Sequence, residues 1–325
     1  MSDFLKNKKF LITGGAGFIG SHISEYLVRN RVGLVRVLDN LSTGKIRNIE
    51  HLKNCPAFEF VEADIRNFSE CRNAVKDVDF VLHHAALGSV PRSILDPLTT
   101  HSVNVDGFIN ILHACKEEKI KKLIFASSSS VYGDSDSLPK IENVTGRSLS
   151  PYALSKKINE LYAEVYDLSY KFSTIGLRYF NVFGPRQDPE GPYAAVIPKF
   201  IKNCITSKPL EIYGDGSAER DFTYVENAVL ANILALQKGR STFEIYNVGC
   251  GYSTNIKELA QKIIQAYKSI TNKNNHIEVY HLPPRPGDIA QSLASTTKIR
   301  NDLNFEPKIL IDKGLHLTIQ WFIEN

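Results

Sequence analysis

Short apolar runs alternate with amphipathic stretches through the first half of the chain. Runs typical of buried strands lie at Phe10–Thr13, Leu34–Leu38, Phe58–Val61, Phe80–His83, Leu123–Ser127 and Ser173–Tyr179. Between the first two runs, apolar residues recur at helical spacing from Phe18 to Leu27. Strands that alternate with helices are typical of βαβ units, so the pattern predicts an α/β fold with a doubly wound parallel sheet.

The alternation stops near residue 181, and a loop-rich stretch follows. Prolines crowd this stretch at Pro185, Pro189, Pro192 and Pro198, and proline interrupts both helices and strands. A later strand is predicted at Glu211–Tyr213. We expect residues 1–180, completed by about residues 224–250, to form the sheet domain. Residues 181–325 should form a smaller C-terminal α/β region that provides a second wall of the site.

Composition and charge exclude several classes of protein. The 325 residues are 43% hydrophobic, and their net charge of +4 is spread along the chain, which is too weak for a nucleic-acid footprint. The chain contains no apolar run close to the ~20 residues that a membrane span needs, and its N-terminus does not resemble a signal peptide. We therefore expect a cytoplasmic protein. The five cysteines have no metal-site spacing, so we expect reduced thiols and no metal.

A glycine-rich turn joins the first predicted strand to the first helix. Gly14, Gly17 and Gly20 give G-x-x-G-x-x-G, which permits a tight turn and a close approach of the backbone to a pyrophosphate at the helix N-terminus. The second strand ends at Asp39, where a carboxylate binds ribose hydroxyls and repels a 2′-phosphate. The pattern predicts a Rossmann domain that binds NAD rather than NADP. Further cofactor contacts are expected from Phe18, Ile19, Asn40, Ser42, Thr43, Gly44, Asp64 and Ile65.

A tyrosine and a lysine stand four residues apart after Pro151, where a helix is predicted to begin. Tyr152 and Lys156 then share one helix face. An ammonium beside a phenol favours the phenolate and lowers a pKa that is ordinarily about 10, so Tyr152 could accept a proton from a substrate hydroxyl near neutral pH. The fifth strand ends in four serines, residues 127–130. Ser128 or a neighbouring serine is expected to hydrogen-bond the reacting oxygen, because ligands bind at the C-terminal ends of parallel strands.

Taken together, these segments resemble the extended short-chain dehydrogenase/reductase family. The resemblance runs from Gly14 to Trp321 and is carried by GGAGFIG, DNLSTG, HHAA, SSSSVYG, SPYALSK and RYFNVFGPRQ. Within the family the chain looks most like the nucleotide-sugar 4-epimerases. The segments AALGSVPRSILDP and RQDPEGPYAAVIPKF look most like those of the subgroup that acts on UDP-GlcNAc and UDP-GalNAc. The resemblance implies NAD-dependent 4-epimerisation of a UDP-hexose through a 4-keto intermediate.

The resemblance also assigns roles residue by residue. It makes Tyr152 the acid–base group, with Lys156 and Ser128 as its partners. It implies further cofactor contacts at Ala85, Ala86, Asn104 and Tyr179. It implies substrate contacts at Gly88, Ser89, Ser129, Ser130, Asn181, Ala195, Val196, Lys199, Tyr213, Arg220, Arg285, Asp288 and Ser292. A small residue at position 292 would leave room for a 2-acetamido group.

Other members of the family remain as alternatives. Many UDP-galactose epimerases carry a lysine near the position of Gly88, and this chain does not. A 4,6-dehydratase or a decarboxylase typically has acidic residues where this chain has Ser129 and Ser130. UDP-glucose or UDP-glucuronate 4-epimerisation stays open. A non-catalytic NAD sensor would need no Tyr152/Lys156 pair.

The family resemblance further implies a homodimer. Family members usually pair through the helices that here contain Asn104–Ala114 and Tyr152–Tyr166, which would bury Ile109, Leu161 and Val165. The two histidines at the end of the fourth strand, His83 and His84, are interpreted as packing residues, because the Tyr152/Lys156 pair already supplies acid–base chemistry.

Overall fold

The computed structural model describes residues 2–190, 194–239, 243–274, 276–284 and 289–325. Its strands are β1 (Lys9–Thr13), β2 (Leu34–Asp39), β3 (Phe58–Glu62), β4 (Phe80–His83), β5 (Lys122–Ser128), β6 (Thr174–Tyr179), β7 (Val182–Phe183), β8 (Leu210–Tyr213), β9 (Glu219–Asp221), β10 (Thr223–Tyr224), β11 (Glu244–Val248), β12 (Ser253–Asn255), β13 (Val279–Leu282) and β14 (Gln291–Ser292). Its α-helices are α1 (Ser2–Leu5), α2 (Phe18–Arg29), α3 (Phe68–Val75), α4 (Val90–Leu95), α5 (Pro97–His101), α6 (Gly107–Glu117), α7 (Pro151–Tyr170), α8 (Val196–Ile205), α9 (Val225–Gln237), α10 (Ile256–Thr271), α11 (Thr297–Leu303) and α12 (Ile311–Glu324).

A seven-stranded parallel sheet forms the centre of the molecule. Its strand order is β11-β6-β5-β4-β1-β2-β3, and every neighbouring pair is parallel. The strand order reverses direction between β1 and β4, which is where doubly wound sheets open a crevice for ligands. The predicted Rossmann fold is confirmed, and each of its six predicted strands is present with ends shifted by no more than one residue.

Helices cover both faces of this sheet because successive strand residues point to opposite sides. Phe10 and Ile12 of β1 belong to the core under α2 and α9. Leu11, between them, belongs to the core under α3 and α6. Helix α9 connects β10 to β11, and β11 pairs with β6 at the edge of the sheet. The central strands of the sheet are therefore buried on both faces, which fits their mostly apolar sequences.

The C-terminal half adds a smaller layer with its own core. Three short sheets pair β7 with β10, β8 with β13, and β9 with both β12 and β14. Phe200, Ile212, Tyr224 and Leu259 are among the buried residues that pack between these strands and α8, α10 and α12. This layer stands beside the C-terminal ends of β5 and β6, since β7 follows β6 after two residues.

Local signals in the sequence set the ends of α7. The side chain of Ser150 accepts a hydrogen bond from the N–H of Ala153 at 3.1 Å, and Pro151 occupies the first turn. Both features are typical of a helix start. Lys171 ends the helix in the left-handed conformation, at φ 54°. Among the described helices, none combines the length and the apolar character of a membrane span.

Candidate active site

A cavity of about 540 Å³ opens at the C-terminal edge of the parallel sheet. It is lined by residues from the loops that follow β1 to β6. Predicted site residues that line it are Gly14, Gly17, Phe18, Ile19, Asp39, Asn40, Ser42, Thr43, Asp64, Ile65, Ala85, Ala86, Gly88, Ser89, Ser128, Ser129, Tyr152, Tyr179 and Asn181. The structure thus brings together residues that are as much as 167 positions apart in the sequence (Gly14 to Asn181).

The glycine-rich turn forms one end of this cavity. Gly14 has φ +68°, and a Cβ there would lie 2.6 Å from the backbone nitrogen of Ala85. A Cβ on Gly20 would lie 2.2 Å from the carbonyl oxygen of Gly14. Helix α2 begins after Gly17 without a side-chain cap. Its first N–H groups therefore remain available to an anion in the cavity.

Asp39 lies at the end of β2, and its carboxylate is buried. The carboxylate accepts hydrogen bonds from the N–H of Ala16 at 3.0 Å and from that of Leu41 at 2.8 Å. Burial raises the pKa of Asp39 above its ordinary value, although these N–H groups oppose the shift. A Cβ on Gly44 would lie 2.8 Å from the carboxylate oxygens. Gly44 does not line the cavity; it lets its loop close over Asp39.

Asp64 stands beside Asn40 at the same end of the cavity. Its carboxylate accepts hydrogen bonds from the side-chain amide of Asn40 at 2.9 Å and from the Nη2 of Arg66 at 2.6 Å. The Arg66 guanidinium lowers the pKa of Asp64 to about 2. Two carboxylates, those of Asp39 and Asp64, therefore stand near the place predicted for the adenosine.

Tyr152 and Ser128 meet at the other end of the cavity. Both residues line the cavity. Burial raises the pKa of Tyr152, and the neighbouring Ser128 hydroxyl opposes this rise. Ser128 accepts hydrogen bonds from the N–H of Ser130 at 3.1 Å and from the hydroxyl of Ser130 at 2.9 Å. Ser130 acts on Ser128 and is not among the residues that line the cavity.

Lys156 is buried one turn after Tyr152 on α7. Its Nζ donates a hydrogen bond to the carbonyl of Ala126 at 2.8 Å, and burial lowers its pKa to about 8. The sequence predicts that this ammonium lowers the pKa of Tyr152. In the structure, burial raises the pKa of Tyr152. The ammonium is engaged with Ala126, and desolvation of the phenol dominates.

The four serines at residues 127–130 differ in their surroundings. Ser127 is buried and donates a hydrogen bond to Oε1 of Glu160 at 2.6 Å. Ser128 faces Tyr152, and Ser129 lines the cavity. Side chains alternate along a strand, so neighbouring serines point to opposite faces of the sheet. Among these residues, Ser128 is placed to touch a reacting oxygen.

His83 and His84 differ in their surroundings. Nδ1 of His83 shares a hydrogen bond with the hydroxyl of Thr13 at 2.8 Å, and its ring packs against Phe108. His84 lines the cavity, and its Nε2 shares a hydrogen bond with the hydroxyl of Tyr179 at 3.0 Å. Burial lowers the pKa of His83 far below its ordinary value and that of His84 to about 3. Both rings are neutral at pH 7. The packing interpretation missed that His84 belongs to the cavity wall.

A second, smaller cavity of about 170 Å³ adjoins the first. Asn181 lines both cavities. Predicted substrate residues that line the second are Val196, Lys199, Tyr213 and Arg220, and the sequence interpretation missed Ala194, Phe200, Glu211, Ala218, Phe222 and Ile256. Lys199 forms an ion pair with Glu211 at 2.6 Å. Because Lys199 is paired with Glu211, its ammonium is less available to bind a phosphate.

The remaining predicted residues lie outside the two cavities or outside the described chain. Ser292 of β14 pairs with Arg220 of β9. Ala195 precedes α8, and its carbonyl accepts a hydrogen bond from the N–H of Lys199. Asn104 is buried against Leu87 rather than exposed to the cavity. Arg285 and Asp288 fall outside the described residues. Within those residues, no group of three or more His, Cys, Asp or Glu side chains could hold a metal ion.

Comparison with known proteins shows the family. The model of the NAD dependent epimerase/dehydratase family matches residues 10–249, which is most of the chain and spans both the glycine-rich turn and the Tyr152/Lys156 pair. The chain therefore belongs to the NAD dependent epimerase/dehydratase family. It is an NAD-dependent enzyme of nucleotide-sugar chemistry.

Individual relatives differ in the reactions that their names state. A putative UDP-glucose 4-epimerase of Methanocaldococcus jannaschii is 39% identical over 97% of this chain and 98% of its own length. A UDP-N-acetyl-alpha-D-glucosaminuronate decarboxylase of Bacillus cytotoxicus is 37% identical over 98% of this chain and 99% of its own. The UDP-N-acetylglucosamine 4-epimerase of Methanobrevibacter ruminantium M1, solved in complex with UDP-N-acetylmuramic acid, superposes with a TM-score of 0.91 at 39% identity, covering 98% of this chain and 99% of its own.

Proposed function

We propose that this protein interconverts the C4 epimers of a UDP-hexose, with UDP-GlcNAc and UDP-GalNAc as its substrates. The observation that carries the proposal is that Tyr152 and Ser128 line one end of the cavity whose other end is formed by the glycine-rich turn and Asp39. It places a phenol and an assisting hydroxyl together where the nicotinamide half of a dinucleotide would end. Membership in the family supports the cofactor, and the reaction and the sugar are our inference.

The residues of the large cavity fit NAD. The uncapped start of α2 after Gly17 suits the pyrophosphate, and the buried Asp39 carboxylate suits ribose hydroxyls while opposing a 2′-phosphate. Tyr152, Ser128 and Tyr179 would border the nicotinamide. When bound, NAD supplies the redox chemistry, since the nicotinamide accepts a hydride from C4 of the sugar and returns it.

The chain's own residues would move the proton and hold the sugar nucleotide. Tyr152, once ionised to the phenolate, would take the proton of the 4-hydroxyl and later return it, while the neighbouring Ser128 hydroxyl would stabilise the charge on the phenolate oxygen. Lys156, with a pKa of about 8, carries a positive charge at neutral pH near these groups. Arg220 and Tyr213 in the second cavity would hold the diphosphate and the nucleoside, so that the 4-keto sugar can turn over without leaving.

The acidic residues of the large cavity lie at the wrong end for a dehydratase. Elimination at C5 and C6 needs an additional acid and base near the sugar. The carboxyl residues among the described lining of this cavity are Asp39 and Asp64. Both follow strands on the far side of the glycine-rich turn from Tyr152. The hydroxyls of Ser128 and Ser129 line the Tyr152 end instead, which favours epimerisation over dehydration.

Small side chains surround the expected place of the sugar. Gly88 and Ser89 line the large cavity, and Ser292 lies beside Arg220. Small residues at these positions leave space for a 2-acetamido group. The similarity to the Methanobrevibacter ruminantium epimerase over nearly the whole chain supports the same choice.

The test is turnover by the purified protein without added NAD. UDP-GlcNAc, UDP-glucose and UDP-glucuronate are incubated separately, and products are followed by proton NMR. We expect conversion of UDP-GlcNAc to UDP-GalNAc to be the fastest of the three reactions. A 4-keto-6-deoxy sugar, a decarboxylated pentose, or no product even after NAD is added would overturn the epimerase proposal.

Tyr152→Phe provides the mechanistic control. This variant should retain NAD and bind UDP-sugar while turnover falls by about 10³-fold, within the range typical of a lost acid–base group. Tyr162→Phe, on the exposed face of the same helix, is the matched control and should keep full activity. Equal activity of the two variants would exclude Tyr152 as the acid–base group.

A further inference from the structure

A buried ion pair lies directly behind the Tyr152 end of the cavity. Arg178 of β6 donates from Nε to Oε1 of Glu160 and from Nη2 to Oε2, each at 2.8 Å. Glu160 and Arg178 are 3% and 2% exposed, respectively. Such a pair needs nearly complete hydrogen bonding to offset its desolvation, and it has it. Ser127 also donates to Oε1 of Glu160, and Nη1 of Arg178 donates to the carbonyl of Glu142.

The strand register explains why this pair forms here. In the parallel pairing of β5 with β6, Ser127 stands opposite Arg178, and Ser128 stands opposite Tyr179. Ser127 and Arg178 therefore point to one face of the sheet, towards α7. Ser128 and Tyr179 point away from that face, and both line the cavity, as Ser127 also does. A change in the position of Ser127 must move Ser128 as well, because the two are adjacent in one strand.

Helix α7 is bound to β5 at two successive turns. Lys156 donates to the carbonyl of Ala126, and four residues later Glu160 accepts from the hydroxyl of Ser127. These strand positions immediately precede Ser128. The two contacts together fix the height and the rotation of the helix that carries Tyr152 relative to the strand end that carries Ser128.

Glu160 follows Lys156 by four residues, so its carboxylate lies on the same face of α7 as the Lys156 ammonium. Its carboxylate raises the pKa of Lys156 against the larger effect of burial. Burial and, to a smaller extent, the charge of Lys156 lower the pKa values of His83 and His84, so both rings are neutral at pH 7. Tyr152 precedes Lys156 by one turn, and Arg178 of β6 binds the same carboxylate of Glu160. Lys157 lies 3.9 Å from Oε2 of Glu160 and is partly exposed.

We propose that Glu160 is a positioning residue of the reaction: clamped by Arg178 and Ser127, it holds Tyr152 in register with Ser128 and keeps the charge of Lys156 at the active site. This inference rests on the proposed roles of Tyr152 and Lys156. Glu160 does not touch the substrate or the cofactor in this arrangement. It acts on two residues that do, through one hydrogen bond to β5 and through its charge.

The test compares Glu160→Gln, Glu160→Asp and Glu164→Gln in the full-length protein. Glutamine keeps the size of the side chain and removes its charge, and aspartate keeps the charge. Glu164 is exposed one turn further along α7, so its variant controls for loss of a helix charge. The readouts are the pH dependence of kcat on the preferred UDP-sugar, and an NMR titration of the Lys156 side chain in protein labelled with ¹³Cε-lysine, assigned with Lys156→Arg.

In Glu160→Gln, we expect the Lys156 titration and the alkaline limb of kcat to move together to lower pH by roughly one unit, because the ammonium loses its stabilising partner. Glu160→Asp should restore most of this shift, and Glu164→Gln should show none. A Lys156 titration that stays in place in a folded Glu160→Gln protein would overturn the electrostatic role. The NMR titration needs no turnover, so it tests this inference even if the wild type fails to epimerise any UDP-sugar.

Ser127→Ala tests separately whether the contact of Ser127 with Glu160 keeps Tyr152 aligned with Ser128. It also covers the case in which Glu160→Gln does not fold. It removes one hydrogen bond and leaves the Glu160–Arg178 pair in place. We expect kcat to fall about tenfold, with unchanged KM and unchanged Lys156 titration, because a small displacement of reacting groups is costly. Unchanged kcat in Ser127→Ala would show that the contact at Ser127 is not needed for registration.

Discussion

The side-chain amide of Asn104 binds the peptide groups of Leu87 through both of its polar atoms. Its Oδ1 accepts a hydrogen bond from the N–H of Leu87 at 2.7 Å, and its Nδ2 donates to the carbonyl of Leu87 at 3.2 Å. Nδ2 also donates to the hydroxyl of Ser155 on α7 at 3.1 Å. The family resemblance implied a cofactor contact for Asn104. In the structure, its side chain holds the loop after β4 against α7.

Asn104→Ala should loosen that loop. The variant leaves the N–H and the carbonyl of Leu87 without their partner, and each lost buried hydrogen bond costs about 1–3 kcal/mol. We expect a lower urea midpoint and a smaller fraction of NAD retained through purification. Asn73→Ala, at an exposed position on α3, should change neither quantity. Retention of NAD equal to that of the wild type would show that the loop does not depend on Asn104.

The parallel sheet was predictable because its first six strands are short, mostly apolar runs between helical stretches. β11 was harder to find. Its residues 244–248 include Glu244 and Asn247, so it does not read as an uninterrupted apolar run. Its place beside β6 follows from the buried helix α9, whose crossing from β10 cannot be read from local pattern. Only the approximate range 224–250 was indicated for this part of the sheet.

The cofactor end of the site was predictable, and the details of the other end were not. Gly14 and Asp39 could be identified from their residue types and from their spacing in the sequence. Ser127 and Ser128 have the same chemistry in the sequence, and only the strand register assigns one to Glu160 and the other to Tyr152. Glu211, on β8, could not be identified from the sequence, because its partner Lys199 lies on a different element, helix α8. Glu160, four residues after Lys156, could have been noticed as a carboxylate on the same helix face.

Asp39→Asn should weaken NAD binding and reduce the preference over NADP. Both carboxylate oxygens of Asp39 accept backbone hydrogen bonds, and an amide can replace only one of these acceptors. The variant also removes the charge that repels a 2′-phosphate. Calorimetric titration of NAD-stripped protein should show a loss of NAD affinity of about tenfold and a smaller difference between NAD and NADP. Asp215→Asn, at a remote turn, is the control, and an unchanged preference in Asp39→Asn would contradict the assignment.

Arg220→Lys should impair binding of the UDP-sugar without affecting the cofactor. A guanidinium can bind two phosphate oxygens at once, whereas an ammonium cannot. We expect KM for the UDP-sugar to rise about tenfold or more with little change in kcat and in NAD content, because the diphosphate contact is the same in the ground and transition states. Arg147→Lys, at an exposed ion pair with Asp134, is the matched control. A fall in kcat alone would place Arg220 at the reacting sugar instead.

Stability should decrease as the pH falls from about 6.5 to 4. Burial lowers the pKa of His22 to about 4 and that of His84 to about 3, and it lowers that of His83 well below the ordinary value of 6.5. The unfolded chain therefore binds protons in this range before the folded chain does, which favours unfolding. Burial raises the pKa of Asp221 to about 6 and also raises that of Asp39, so these two carboxyl groups oppose the trend. Urea midpoints measured between pH 7 and pH 4 should fall, and His22→Gln should make the fall shallower. A midpoint that rises over this range would refute the prediction.

The exposed apolar face of α7 should pair two copies of the chain. Leu161 and Val165 are 49% and 50% exposed, and Leu98 on the neighbouring α5 is 83% exposed. Contiguous exposed apolar residues mark interaction surfaces. Ile109, on α6, is partly covered, so it contributes less than the family resemblance implied. We expect a dimer by light scattering at micromolar concentration and a monomer for Leu161→Asp/Val165→Asp. Leu310→Asp, equally exposed elsewhere, should remain dimeric, and a monomeric wild type would exclude the dimer.

The close approach of Gly14 to Ala85 has a consequence for how the cofactor is kept. Where Gly14 meets Ala85, the cavity wall is a contact between two backbone segments. A wall of this kind is preorganised, so binding a dinucleotide requires little rearrangement, and most of the interaction energy is available as affinity. The lifetime of the complex would then be set by how fast the nucleotide itself dissociates. Stripping and reloading the cofactor should consequently be reversible without an unfolding step.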